Sequence, residues 1–178
     1  MKIAIFSSWL PKVKIEHEEL ARSIARYLVE NNVSIVTGGT TGIPGICIEE
    51  AHKLGAKTIG YFPNEGEHDH AEVDGNHEPG FYTEKYFIKG FTARSLAMIK
   101  GVDAAIVLNG RIGTLSEFGI AVEEGLPLAV IEGTGGITDE LQRLTKLVAK
   151  EFPNNEVIFE RDYKNAVDLL IKNYKNKS

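Results

Sequence analysis

VDAAIVLNGRIGTLSEFG, residues Val102 to Gly119, changes character twice. Val102 to Leu108 is an almost unbroken apolar run of strand length, as expected of a strand covered on both faces. Gly110 and Gly113 then punctuate a turn, and a helix is predicted from about Thr114 to Glu124. A strand passing through a short glycine turn into a helix is the repeating unit of α/β domains. If the stretch is such a unit, the same alternation must recur on both sides of it.

It does. Upstream, Ile3 to Ser7 reads as a strand, and Leu20, Ile24, Tyr27 and Leu28 follow at helical spacing behind Glu16, Glu18 and Glu19, which suit a helix N-terminus. A strand from Val33 to Thr37, a helix from about Ile43 to Leu54 capped by Gly55, and a strand from Lys57 to Phe62 come next. A helix near Thr92 to Lys100 leads into the opening stretch. Downstream lie the strand Leu128 to Glu132, a helical stripe of Ile137, Leu141, Leu144 and Val148, a short strand from Glu156 to Phe159, and a last stripe of Val167, Leu170, Ile171 and Tyr174. The tail from Lys172 reads as a fraying terminus. Only Pro63 to about Tyr86, polar and acidic, breaks the alternation and reads as an exposed loop or lid.

This pattern predicts one doubly wound α/β domain spanning 1–178, with a mostly parallel sheet of about six or seven strands and helices on both faces. Such sheets bind ligands at the carboxyl ends of their strands. The candidate site walls are therefore Phe6 to Trp9, Thr37 to Gly45 and Leu108 to Glu117, with Ser7, Ser8 and Trp9 following the first strand. Gly133, Gly135 and Gly136 read as a flexible turn.

The bulk properties narrow the function. The chain has 178 residues, 43% hydrophobic and 25% charged, with a net charge of −5. That is a globular composition, and its acidity argues against nucleic acid as a partner while leaving room for a small anion held locally. The single cysteine, Cys47, excludes an internal disulfide and a cysteine-based zinc site. No membrane span or signal peptide is evident, so a cytoplasmic location and no membrane partner are expected. His68, Asp69, His70, Glu72, Asp74, His77 and Glu78 are metal-ligand types, but their spacing matches no zinc signature, and a solvated acidic loop is expected instead.

Two glycine turns carry the candidate chemistry. VTGGTTGIPG sets Gly38, Gly39, Thr40, Gly42 and Gly45 between a strand and a helix, where free N–H groups can meet an anion. Its spacing is neither the dinucleotide fingerprint nor a Walker loop, and phosphate binding and an ordinary tight turn are both open. In the second turn, Thr114-Leu115-Ser116-Glu117 has the form of a capping box, in which Thr114 and Glu117 satisfy each other's backbone donors. The alternative is a catalytic carboxylate beside a phosphate-binding turn. Local spacing does not separate them.

Three segments together resemble one family. GGTTGIPG (residues 38–45) is similar to the first glycine motif of the LOG family, Rossmann-like proteins often labelled "possible lysine decarboxylase". FTARSLAMI resembles that family's arginine segment, with Arg94 followed four residues later by Met98. NGRIGTLSE resembles its PGGxGTxxE motif, keeping Gly110, Gly113, Thr114 and Glu117. The resemblance runs from residue 2 to about 150. Asn109 stands in place of the motif's proline, Arg111 in place of its second glycine, and Ser95 in place of the lysine that usually follows the arginine.

The resemblance implies cleavage of the N-glycosidic bond of a nucleoside 5′-monophosphate, with Arg94 and Glu117 as catalytic residues. Phosphate or nucleotide would be held by the first glycine turn and by Gly110, Arg111, Ile112, Gly113 and Thr114, with Ser7, Ser8 and Met98 as further contacts. It also implies a homodimer or larger assembly and no cofactor. A pyridoxal-dependent decarboxylase is not implied, since no motif marks a cofactor-binding lysine. Related proteins carry nucleotides or the molybdenum cofactor without turnover, which is the alternative reading.

Overall fold

A computed structural model describes residues 1–10, 12–66, 77–148 and 156–177. Seven strands form one sheet: β1 (Lys2–Phe6), β2 (Ser34–Thr37), β3 (Thr58–Phe62), β4 (Glu84–Phe87), β5 (Ala104–Leu108), β6 (Leu128–Ile131) and β7 (Val157–Glu160). Their order is β4-β3-β2-β1-β5-β6-β7, and every pairing is parallel. The helices are α1 (Ile15–Glu30), α2 (Gly42–Lys53), α3 (Phe91–Lys100), α4 (Ile112–Glu123), α5 (Thr138–Val148) and α6 (Tyr163–Lys177). The doubly wound fold is as the sequence predicts.

Two apolar cores follow from the strand period of two. In β1, Ile3 and Ile5 point to a layer that includes Ile24 and Leu28 of α1, Cys47 and Ile48 of α2, and Val167 and Leu170 of α6. Ala4 and Phe6 point the other way, to Met98 and Ile99 of α3, Phe118 and Ala121 of α4, and Leu141 of α5. Parallel strands so covered show apolar character at nearly every position, which is why these runs were legible.

The strand order reverses between β1 and β5. From β1 the chain winds outward to the β4 edge, and α3 then carries it back across the sheet to β5. Helices α3 and α4 thus pack side by side on one face, directly beside the reversal, where a doubly wound sheet opens a crevice.

The exposed loop expected from Pro63 to Tyr86 is shorter than its composition suggested. Pro79–Phe81 makes a 3₁₀ turn, and Glu84–Phe87 is the edge strand β4, paired to β3. As an edge strand it is only half buried, so it needs no apolar run. His77 is buried, bonded to the Tyr82 hydroxyl (3.1 Å) and the Glu49 carboxylate (3.2 Å). Glu78 accepts from Gly80 N–H at 3.4 Å, and the remaining loop residues considered as metal ligands, His68, Asp69, His70, Glu72 and Asp74, lie outside the described residues. Among the described residues no helix is long and apolar enough to cross a membrane.

Candidate functional site

A cleft of about 470 Å³ opens at the carboxyl ends of β1, β2 and β5, within the size range of small-molecule sites. Ser7, Ser8 and Trp9 follow β1, Gly38 and Thr40 follow β2, and Arg111 to Thr114 with Ser116 and Glu117 follow β5. Phe91, Thr92, Arg94 and Ser95 reach it from α3.

On its inner wall, Arg94 Nη1 donates to Glu117 Oε1 at 2.9 Å, and Ser95 Oγ donates to the same oxygen at 3.3 Å. The Arg94 side chain is 7% exposed and that of Glu117 13%. Arg94 lies flat against Gly38, where any β-carbon would collide with the guanidinium; this close approach is what that glycine permits. Arg94 Nε is buried without a hydrogen-bond partner among the described residues. Burial raises the pKa of the Glu117 carboxyl above the ordinary glutamate value, and Arg94 and Ser95 offset this only in part.

The capping box does not form. Helix α4 begins at Ile112, with Arg111 as its N-cap residue, so Thr114 and Glu117 already lie inside the helix. The Thr114 hydroxyl packs against Gly110, and the Glu117 carboxylate turns to α3. The first bond across the helix start runs from Leu115 N–H to the Arg111 carbonyl, leaving the N–H groups of Ile112, Gly113 and Thr114 without an intrahelical partner at the cleft. Arg111 is exposed there, and its side chain forms no ion pair or hydrogen bond among the described residues.

Asn109 accounts for its own departure from the family motif. It sits at φ 52°, a left-handed conformation that asparagine tolerates and proline cannot adopt. Its backbone N–H donates to Thr134 Oγ1 (2.7 Å), its Nδ2 to the Thr134 carbonyl (2.8 Å), and its Oδ1 accepts from Gly110 N–H (2.5 Å). The turn is braced from β6 instead of by a proline ring.

Helix α2, by contrast, has a start already in use. Ile43 N–H donates to the Ser8 carbonyl at 3.2 Å, and Thr41 Oγ1 to the Trp9 carbonyl at 2.9 Å. Gly42, at φ 71°, is pressed against the Ser8 to Leu10 backbone, which leaves no room for a side chain. Gly39, Gly42 and Gly110 therefore shape the loops behind the cleft without lining it. Ser7 Oγ is engaged by the Leu108 carbonyl (2.5 Å), tying β1 to β5. Met98 is fully buried in the core one turn beyond Arg94; helical spacing keeps it on the same side, but the axis has carried it beneath the sheet end. It packs in the core and is not among the residues that line the cleft.

Gly133, Gly135 and Gly136 line a neighbouring hollow with Lys12, Lys14 and His17, separate from the cleft. Phe91 and Thr92 line the cleft from outside the three strand-end walls, whereas Ser116 falls within the wall Leu108 to Glu117. Phe91 and Thr92 open the FTARSLAMI segment, whose resemblance draws attention to Arg94 and Met98 and not to its first two residues. Among the described residues no group of three His, Cys, Asp or Glu side chains is placed to hold a metal ion.

Solved structures confirm the fold. TM1055, a structural-genomics target, is 21% identical, with 96% of this chain and 98% of that one covered at a TM-score of 0.79. The molybdenum cofactor binding protein of Rippkaea orientalis is 19% identical, covering 96% and 95% of the two chains at 0.75. DNA processing protein A of Helicobacter pylori, described by its single-stranded DNA binding mode, is 22% identical, covering 98% and 81% at 0.63. The last corrects the expectation that nucleic acid is excluded. A net charge of −5 sums the whole surface and does not by itself exclude a local surface that meets phosphates. Among curated proteins, none matches this sequence. The SLOG cluster4 family profile matches residues 3–167, nearly the whole domain and all of the cleft, and the chain belongs to that family.

Proposed function

We propose that the cleft binds a nucleoside 5′-monophosphate and hydrolyses its N-glycosidic bond, releasing free base and ribose 5-phosphate. The observation that carries this is the buried Arg94–Glu117 pair lying one turn along α4 from that helix's unsatisfied start. The free N–H groups of residues 112–114 and the Arg111 guanidinium supply a phosphate anchor. From Gly113 to Glu117 the helix advances about 6 Å, comparable to the reach from a 5′-phosphate to the anomeric carbon.

As the C1′–N bond breaks, its electron pair leaves with the base and positive charge develops on the ribose. Glu117 stabilises that charge, takes a proton from the attacking water, and returns a proton to the departing base nitrogen. A carboxyl whose pKa is raised by burial is suited to both transfers. Arg94 holds Glu117 in place through Oε1, which leaves Oε2 outside that bond for the proton transfers. The molecule acts as a cytoplasmic homo-oligomer in this reading, which sedimentation checks.

A second reading is a carrier that holds a phosphorylated ligand without turnover. It is favoured by the same pair, because a carboxylate already neutralised by Arg94 and bonded by Ser95 is also a stable structural group. The molybdenum cofactor binding protein shares the fold, and the cleft has the size of a small-molecule site. Chromatography of nucleoside 5′-monophosphates incubated with the protein separates the two readings. Free base from the parent protein and none from Glu117→Gln establishes the hydrolase; tight binding with no base from either establishes the carrier.

A further inference from the structure

Arg94 and Ser95 are consecutive residues of α3, and both donate to the same oxygen of Glu117. Consecutive side chains leave a helix about 100° apart, so the two donors come to that oxygen from different sides. Arg94 does so with a long side chain laid against Gly38. Ser95 is short and buried, and its hydroxyl is placed by the helix itself. A serine inside a helix can turn its hydroxyl back to the carbonyl four residues earlier. Among the described residues the Ser95 hydroxyl bonds only to Glu117, across the gap to α4.

The two oxygens of a carboxyl are alike until their surroundings distinguish them, and each has about two lone-pair sites. On Glu117 both sites of Oε1 are taken, one by Arg94 Nη1 at 2.9 Å and one by Ser95 Oγ at 3.3 Å. A proton arriving at Oε1 would displace one of these donors, whereas one arriving at Oε2 displaces neither. A single donor would also let the carboxyl turn about its last bond, which is a soft torsion. Two donors on one oxygen fix its plane.

We propose that Ser95 is a positioning residue: with Arg94 it saturates Oε1 and confines the exchangeable proton of Glu117 to Oε2. In the hydrolysis proposed above, the oxygen of water bonds to C1′ as its proton passes to Oε2. From there the proton goes to the base nitrogen, which leaves with the C1′–N electron pair. That step rests on the hydrolase reading; the placement of the proton does not. The Ser95 hydroxyl also stabilises the charged carboxylate, against the burial that disfavours it. Arg94 is the charged side chain that touches Glu117, and Arg111 is the other cation in the cleft lining.

The test follows the carboxyl itself. The part of the pH-dependent infrared spectrum that Glu117→Gln removes is the Glu117 band. In the parent protein its protonated C=O is Oε1, and accepting two hydrogen bonds lowers the stretching frequency. Ser95→Ala is expected to raise that frequency and to raise the midpoint of the titration by about one pH unit. The low-pH limb of kcat/KM for base release, which reports ionisation in the free enzyme, should move by the same amount. Ser95→Thr keeps the hydroxyl and should restore the band, the midpoint and the limb. Ser95→Cys, similar in size but a weak donor, should fall between.

An unmoved band and midpoint in Ser95→Ala overturn the proposal, as does a variant that loses only thermal stability. So does a kinetic limb that moves without the band, because another group then sets it. A Glu117 band missing at every pH at which the parent protein is folded overturns it as well. A band and midpoint that move in a protein releasing no base keep the placement of the proton and sink the hydrolase.

Discussion

Glu50 and Glu117 are both buried glutamates facing arginine, and the molecule treats them in opposite ways. Glu50, on α2, gives one oxygen to Arg26 (2.6 Å) and the other to Arg22 (3.2 Å) of α1. Burial alone would raise its pKa, but the two guanidinium groups outweigh that and hold it below the ordinary glutamate value. Glu117 has one arginine, and both its bonds fall on the same oxygen. There burial wins and the pKa rises. A carboxylate with both oxygens paired joins two helices. One with a single arginine, and both bonds on one oxygen, is left with its second oxygen outside the pair.

The largest expected effect separates the two by activity. Glu117→Gln should lower base release about 100-fold or more while nucleotide binding stays within a few-fold, as expected when a general acid–base group is removed. Glu50→Gln should leave turnover unchanged. Loss of turnover in both variants would mean that the α1–α2 pair supports the site and that the contrast is false.

Stability should reverse the order. Glu50→Ala removes the carboxylate that joins Arg26 and Arg22 to α2, leaving Arg22 with Glu18 alone and Arg26 to solvent, and is expected to cost about 1 kcal/mol in urea unfolding. Glu117→Gln at about pH 8 should cost nothing, or stabilise, because the raised pKa means that the folded protein favours the uncharged carboxyl. A large loss in Glu117→Gln would show that Arg94 depends on the charge.

The pH dependence sharpens the comparison further. Glu50's depressed pKa gives stability that is present above the ordinary value of 4.5 and lost as pH falls through the lower folded value. Glu117's raised pKa gives a contribution that is complete below 4.5 and lost as pH rises through the higher folded value. Subtracting each Gln variant's stability from the parent's between about pH 3 and 9 should give two curves of opposite slope.

The smallest effect concerns the anchor. Arg111→Gly restores the glycine of the LOG motif and removes an exposed cation, so phosphate affinity should fall only severalfold and the loss should shrink in high salt. A loss of several hundredfold would make Arg111 the main anchor in place of the α4 start.

Much of this was legible beforehand. Apolar runs such as Val102 to Leu108 announce buried parallel strands because both of their faces meet helices. Edge strand β4 was hidden because Glu84 and Lys85 need not be apolar where one side meets solvent. Motif resemblance points to Arg94, Glu117 and Met98 alike, and the structure brings the first two to the cleft and Met98 into the core, because helical spacing gives a face but not a depth.

What the sequence determined by itself was therefore local and periodic: the alternation of strands and helices, the glycine turns, and the residue types at the strand ends. That Thr114 and Glu117 do not form a capping box was decided only in three dimensions. Helix α4 starts at Ile112, and the crossover α3 brings Arg94 to within a hydrogen bond of a residue 23 positions away. A capping box and a buried ion pair need the same amino acids. The choice between them rests on long-range packing at the point where the sheet reverses, and no spacing along the chain encodes it.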